Sequence, residues 1–152
     1  MQIIYLRIAN KSFCDINSFR DDIFDLLCNK TNFTSCDMEA VIQVFYNLVS
    51  NALKYSESGP IELKSICTDD RIVITIQDKG EDITVEDAKH LFESFYRGEK
   101  AHQQQIHGSG LGLGIARGLM EAMGGRLDFV GNHLGACFEA TFICCSTKEI
   151  EA

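Results

Sequence analysis

Five polar side chains, Gln43, Asn47, Ser50, Asn51 and Lys54, recur at helical spacing. At 100° per residue they fall within one sector of about 100°, opposite Val44, Phe45, Leu48, Val49, Ala52 and Leu53. An ordinary solvated face would use glutamate, lysine and arginine, because asparagine is a weaker helix former. Two asparagines one turn apart offer neutral amide oxygens to a hard cation, and Lys54 offers a positive charge to phosphate. Further along, Gly108-Ser109-Gly110-Leu111-Gly112-Leu113-Gly114 leads into a helix. Glycine at every second position lets backbone N–H groups approach a ligand, and the helix start adds partial positive charge, so the segment reads as a phosphate cradle. It has neither the lysine and hydroxyl residue that close a P-loop nor the spacing of a dinucleotide fingerprint. Asp78-Lys79-Gly80, after an apolar run, could accept a hydrogen bond from a ligand amino group, although by itself it is a turn. In chain order the three sites offer recognition of a cation, a base and phosphates, which points to a magnesium nucleotide.

Ordinary elements must hold these groups. Residues 3–8 read as a strand and 16–28 as a short helix built on Phe19, Ile23, Leu26 and Leu27. Asp37 is an N-cap candidate for a long helix running to about residue 55, with Gly59-Pro60 as its stop. Residues 61–67 and 71–77 predict an antiparallel pair around Thr68-Asp69-Asp70. Thr84 can cap a helix to about residue 94, and a polar loop over 98–107 precedes the glycine cluster. A helix over 115–123 ends at Gly124-Gly125, and residues 127–130 and 136–144 predict a closing hairpin. Helices on one face of a mixed or antiparallel sheet make an α+β two-layer sandwich.

Composition narrows the class. The chain has 152 residues, 45% apolar and 24% charged, with a formal net charge of -8. That fits one globular domain and argues against nonspecific nucleic-acid binding, which needs lysine and arginine against phosphates. No apolar run approaches the length of a membrane span, and the first ten residues lack a signal-peptide pattern. A cytoplasmic chain without direct membrane contact is expected. Its seven cysteines are odd in number and include no C-x-x-C, so buried free thiols are expected in preference to disulfides or zinc.

At this level the sequence resembles the catalytic and ATP-binding domain of sensor histidine kinases, within the wider group of gyrase, heat-shock chaperone and mismatch-repair ATPases. The stretch from Gln43 through Asn47, Asn51 and Lys54 to Tyr55-Ser56 is similar to that family's N box. Phe92-Glu93-Ser94-Phe95-Tyr96-Arg97 is similar to its F box, and the run from Gly108 to Ile115 to its second glycine box. The likeness spans about residues 37–143, leaving 1–36 as a junction strand and helix and 37–152 as the ATP-binding core.

By that resemblance the fold is a sandwich of a mixed sheet and three main helices. Asn51, helped by Asn47, would hold Mg2+; Lys54, Tyr55 and Arg97 would meet phosphates or ribose; Asp78 would take the adenine amino group. Gly80, Ile83 and Tyr96 would complete the nucleotide site, and Gly108, Gly110, Leu111, Gly112 and Leu113 would hold the phosphates of ATP. Residues 98–107 would form the ATP lid. Gyrase-like ATPases carry a water-activating glutamate one turn before the metal asparagine. Here that position is Asn47, whose amide cannot take a proton, so phosphoryl transfer to a histidine is implied over hydrolysis. Asn47 and Arg97 are then the residues nearest the chemistry.

Two departures from the pattern stand out. Asp82 occupies the place of the first glycine box's second glycine, which predicts steric or charge conflict and weaker ATP binding than glycine would give. None of the four histidines lies in a phosphoacceptor motif, so the acceptor is expected on a separate dimerisation domain, either in a longer parent chain or in trans. The isolated domain would be monomeric, and a response-regulator receiver domain would be an indirect partner in the phosphorelay. A degenerate nucleotide-sensing or docking module and an anti-sigma-factor type serine kinase are the alternative readings.

Overall fold

In a computed structural model, residues 1–8, 16–27, 37–56, 59–98, 108–132 and 135–144 are described. Alternation builds the sheet: in Ile61–Cys67 and Arg71–Gln77 every second side chain is buried, which puts one face of each strand on a core and the other outside. These are β2 and β3. With Gln2–Ile8 (β1), Arg126–Asn132 (β4) and Ala136–Ile143 (β5) they form a five-stranded sheet of order β1-β2-β3-β5-β4. Each of these pairings is antiparallel, so the mixed sheet implied by resemblance is replaced by the antiparallel one that alternation alone also allowed.

Three longer helices, Ile16–Leu26 (α1), Met38–Tyr55 (α2) and Gly112–Ala122 (α4), accompany a single-turn helix, Val85–Ala88 (α3). Asp37 caps α2 as expected, its carboxylate accepting the Glu39 N–H at 3.0 Å, and Val41, Val44, Phe45, Leu48 and Val49 are buried along its inner stripe. Burial of each such side chain stabilises the fold by roughly 1.5 to 3 kcal/mol. Phe45 stacks on Phe142 of β5 at 6.0 Å, joining α2 to the middle of the sheet. Phe19, Ile23, Leu26 and Leu27 of the N-terminal helix region join the same core as Leu63, Ile74, Met120 and Leu127.

One buried polar link crosses that core. The Ser65 hydroxyl on β2 donates to the Leu26 carbonyl at the end of α1, at 2.6 Å.

Two sequence expectations change. The helix after Thr84 stops at Ala88 instead of reaching residue 94, and a chain of turns through Lys89, His90, Glu93 and Tyr96 follows it. Tertiary demands win there: Phe95 leaves helical geometry at φ 66° to donate its N–H to the Gly110 carbonyl. The later helix starts at Gly112, three residues before Ile115. Among the cysteines, Cys137 is a buried free thiol, whereas Cys67 is disulfide-bonded to a partner outside the described residues, against the free thiol expected there.

Candidate functional site

A cavity of about 460 Å3 opens between α2, the loop after β3, the turns after α3 and the glycine segment before α4. The polar side of α2 forms one wall through Tyr46, Asn47, Ser50, Asn51, Lys54 and Tyr55. Gln43 stays out of the lining and donates its amide N–H to Asn47 Oδ1 at 3.2 Å. Asp78, Glu81, Asp82 and Ile83 follow from the loop after β3, and Tyr96 and Arg97 from the turn region. Gly108, Gly110, Gly112 and Leu113 line the cavity beside that wall.

Twelve of the fourteen nucleotide residues expected from sequence therefore line one cavity. The exceptions are Gly80 and Leu111, which stand behind its wall. A Cβ on Gly80 would lie 2.2 Å from the Tyr55 carbonyl oxygen, so the loop after β3 can pass the end of α2 only without a side chain there. The Leu111 N–H donates to the Ser109 hydroxyl at 3.3 Å. Of the lid expected over 98–107, Gly98 is described and the remainder lies outside the described residues.

The cavity is electrically divided. Its α2 and glycine side gathers amides, Lys54 and backbone N–H groups: a Cβ on Gly108 would be 3.7 Å from Lys54 Nζ, and one on Gly112 would be 4.0 Å from Asn47. Among the described residues, two buried side-chain nitrogens have no hydrogen-bond partner, Asn47 Nδ2 and Arg97 Nη2. Unmade hydrogen bonds of this kind cost stability unless a ligand completes them. A half-turn of the Asn47 amide would put its oxygen in place of Nδ2, while Gln43, an amide itself, can serve either orientation. The donor set fits a phosphate chain, and the neutral amide oxygens of Asn47 and Asn51 fit a hard divalent ion.

The other side is acidic. Asp78 is 5% exposed, and Oδ1 receives both the Gly80 and the Ala136 N–H, at 3.0 and 2.9 Å. Burial pushes its carboxyl above the usual range; the two backbone donors pull it back, and the nearby Asp82 charge pushes it up again. No hydrogen bond from the described residues occupies Oδ2, leaving an acceptor for a ligand amino group. Beside the pocket, the Tyr96 hydroxyl donates to Asp87, and that bond pushes the phenol up to about 12. The His90 ring lies 5.1 Å from the Tyr96 ring, and its pairing with Glu93 and Glu86 raises the imidazole above its ordinary range.

Sequence reading did not assign Asp87, Leu91, Ala136 or Phe138 to the cavity. Asp87 looked like an ordinary first-turn acid of α3, and Ala136 and Phe138 are inward-facing residues of a strand more than fifty positions from Asp78, with no local signal.

A family model described as Histidine kinase-, DNA gyrase B-, and HSP90-like ATPase matches residues 36–144. The chain is 36% identical over 96 residues to the aerobic respiration control sensor protein ArcB homolog of Haemophilus influenzae, covering 63% of this chain and 29% of that protein. It is 32% identical over 134 residues to the sensor protein kinase WalK of Staphylococcus aureus, covering 78% and 32%. The chain thus spans under a third of the length of these relatives. The fold is similar to the catalytic domain of histidine kinase ThkA, with TM-score 0.63, 20% identity and coverage of 95% and 99%. It is also similar to the mycobacterial sensor histidine kinase MprB, with TM-score 0.61, 17% identity and coverage of 96% and 100%. The chain belongs to the family of histidine kinase-, DNA gyrase B- and HSP90-like ATPases, within which it is an ATP-binding catalytic domain of the sensor histidine kinase kind.

Proposed function

We propose that this domain positions Mg-ATP so that its γ-phosphoryl group passes to a histidine on a separate dimerisation domain. The division of the cavity supports this most directly: amides, Lys54 and glycine N–H groups on one side suit the metal-bound triphosphate, and Asp78 on the other suits adenine. A structural neighbour of 22% identity, ShkA, has been solved in complex with AMPPNP; this chain covers 31% of it.

In this reading Asn51 and Asn47 hold the cation through amide oxygens, and Lys54 and the orphaned Arg97 nitrogen neutralise phosphate oxygens. Mg2+, when bound, would draw charge away from the β- and γ-phosphate oxygens. Asp78 Oδ2 accepts a hydrogen bond from the adenine amino group while Oδ1 stays fixed by Gly80 and Ala136. Asn47 stands where a hydrolase would need a proton acceptor, and its amide cannot serve as one. A response-regulator receiver domain takes the phosphoryl group onward from the acceptor histidine.

Incubation of the domain with γ-labelled ATP, Mg2+ and a separately supplied histidine-bearing dimerisation domain should transfer label to that histidine, and Asn51→Ala should abolish the transfer. Nucleotide binding without transfer to a cognate acceptor would instead favour a sensing or docking module.

A further inference from the structure

Hydrogen bonds join the end of β3 and its following loop to Gly135 and Ala136 beside the base end of the cavity, among them one from the Asp78 N–H to the Ala136 carbonyl at 3.0 Å. Gln77 Nε2 donates to the carbonyls of Asp78 and Gly135, at 2.9 and 3.1 Å. Ala136 donates its N–H to Asp78 Oδ1, and Gly135 donates its N–H to Asp82 Oδ1 at 3.3 Å. Gly135 is the tightest point. It holds φ 120°, and a Cβ there would lie 2.3 Å from the Asp78 carbonyl oxygen and 2.7 Å from Asp78 Oδ1. Fixing the Gly135 backbone therefore fixes the next N–H, that of Ala136, which in turn sets the rotation of the Asp78 carboxylate.

We propose that Asp82 is a positioning residue: by holding the Gly135 N–H it locks Gly135 against Asp78 and so aims Asp78 Oδ2 at the base. This rests on the nucleotide reading above and assigns Asp82 a role in base selectivity. The acceptor oxygen matters, while the charge does not contribute to the lock. Glycine at residue 82 would offer no acceptor, whereas asparagine keeps a carbonyl oxygen at the same reach.

The test compares wild type, Asp82→Gly and Asp82→Asn in titrations with a fluorescent ATP analogue and its inosine counterpart, with thermal melting alongside. Asp82→Gly should bind the ATP analogue about tenfold more weakly, as expected for losing roughly one good hydrogen bond. It should also lose preference for adenine over inosine, while Asp82→Asn restores both. A merely structural role would weaken both nucleotides alike and leave the preference unchanged. Equal or tighter binding by Asp82→Gly, or an Asp82→Asn variant as weak as Asp82→Gly, would overturn the proposal. Failure of the wild type to bind either nucleotide would overturn the nucleotide reading itself and the proposal with it.

Discussion

Phe95 donates its backbone N–H to the Gly110 carbonyl at 3.0 Å, and both residues sit in left-handed backbone geometry, at φ 66° and 73°. The contact ties the turn that delivers Tyr96 and Arg97 to the glycine segment that lies beside α2 in the cavity lining. It is also very close: a Cβ on Gly110 would meet the Phe95 carbonyl carbon and the Tyr96 oxygen at 2.8 Å. The two residues should therefore respond oppositely to substitution. Gly110→Ala should destabilise the domain by about 1 to 3 kcal/mol through strain and overlap and should weaken nucleotide binding. Phe95→Gly relieves a left-handed cost of roughly 1 to 2 kcal/mol but loosens the unfolded chain by about 0.4 to 1 kcal/mol, so its stability should stay level or rise slightly. Urea denaturation of both variants checks the asymmetry, which equal losses would contradict.

Asp78 predicts a pH effect of definite sign. Its carboxyl titrates above the ordinary value because burial outweighs its two backbone donors. An acid with a raised folded-state value favours folding most below the unfolded value near 3.8, and that contribution is lost as pH rises through the folded value. Asp78→Asn keeps an oxygen for Gly80 and Ala136 and removes the buried charge, so its stability relative to wild type should improve as pH rises through that window. Its adenine nucleotide affinity should fall sharply, because an amide N–H would face the amino group. Denaturation across pH, paired with binding titrations, separates the two effects.

Tyr96 adds an alkaline signature. Hydrogen bonding to Asp87 holds its phenol at about 12 against an ordinary 10.0. The stability that this bond contributes is present below the ordinary value and should be lost as pH climbs from there toward the folded value. Phenolate absorbance should show one of the four tyrosines ionising late, and Tyr96→Phe should remove that late step. A variant with an unchanged titration curve would exclude the assignment.

The α2 wall can be tested without a phosphoacceptor. Asn51→Ala should make adenine nucleotide binding insensitive to added Mg2+, whereas wild type should bind more tightly with the metal. Calorimetric titrations with and without Mg2+ measure the difference, and an equal metal response in both proteins would remove Asn51 from the cation site.

Where local pattern and tertiary demand agree, the sequence is readable in detail. The alternating or apolar runs of Ile61–Cys67 and Arg71–Gln77 around Thr68-Asp69-Asp70 mark β2 and β3 to the residue, and Asp37 with the apolar stripe of α2 marks that helix from its cap. Most of the cavity follows, because its residues come from patterned elements or from a glycine run. The misreadings come from long-range effects. The helix after Thr84 yields because Phe95 is bound to Gly110, fifteen residues later, and no local propensity encodes that partner. The Asp82–Gly135 bond is likewise invisible to local pattern, because its two residues are 53 positions apart. Ala136 and Phe138 reach the site only through the pairing of β5 with β3.

The buried Ser65–Leu26 link bears on how α1 can move. A helix held only by greasy contacts can slide or roll at small cost, but displacing α1 would break the buried Ser65–Leu26 hydrogen bond. The bond therefore resists movement of α1 relative to β2. Ser65 is paired across the ladder with Ile74, and β3 runs on from Ile74 to Gln77, so the same stitch fastens α1 to the strand pair whose end delivers Asp78 to the pocket.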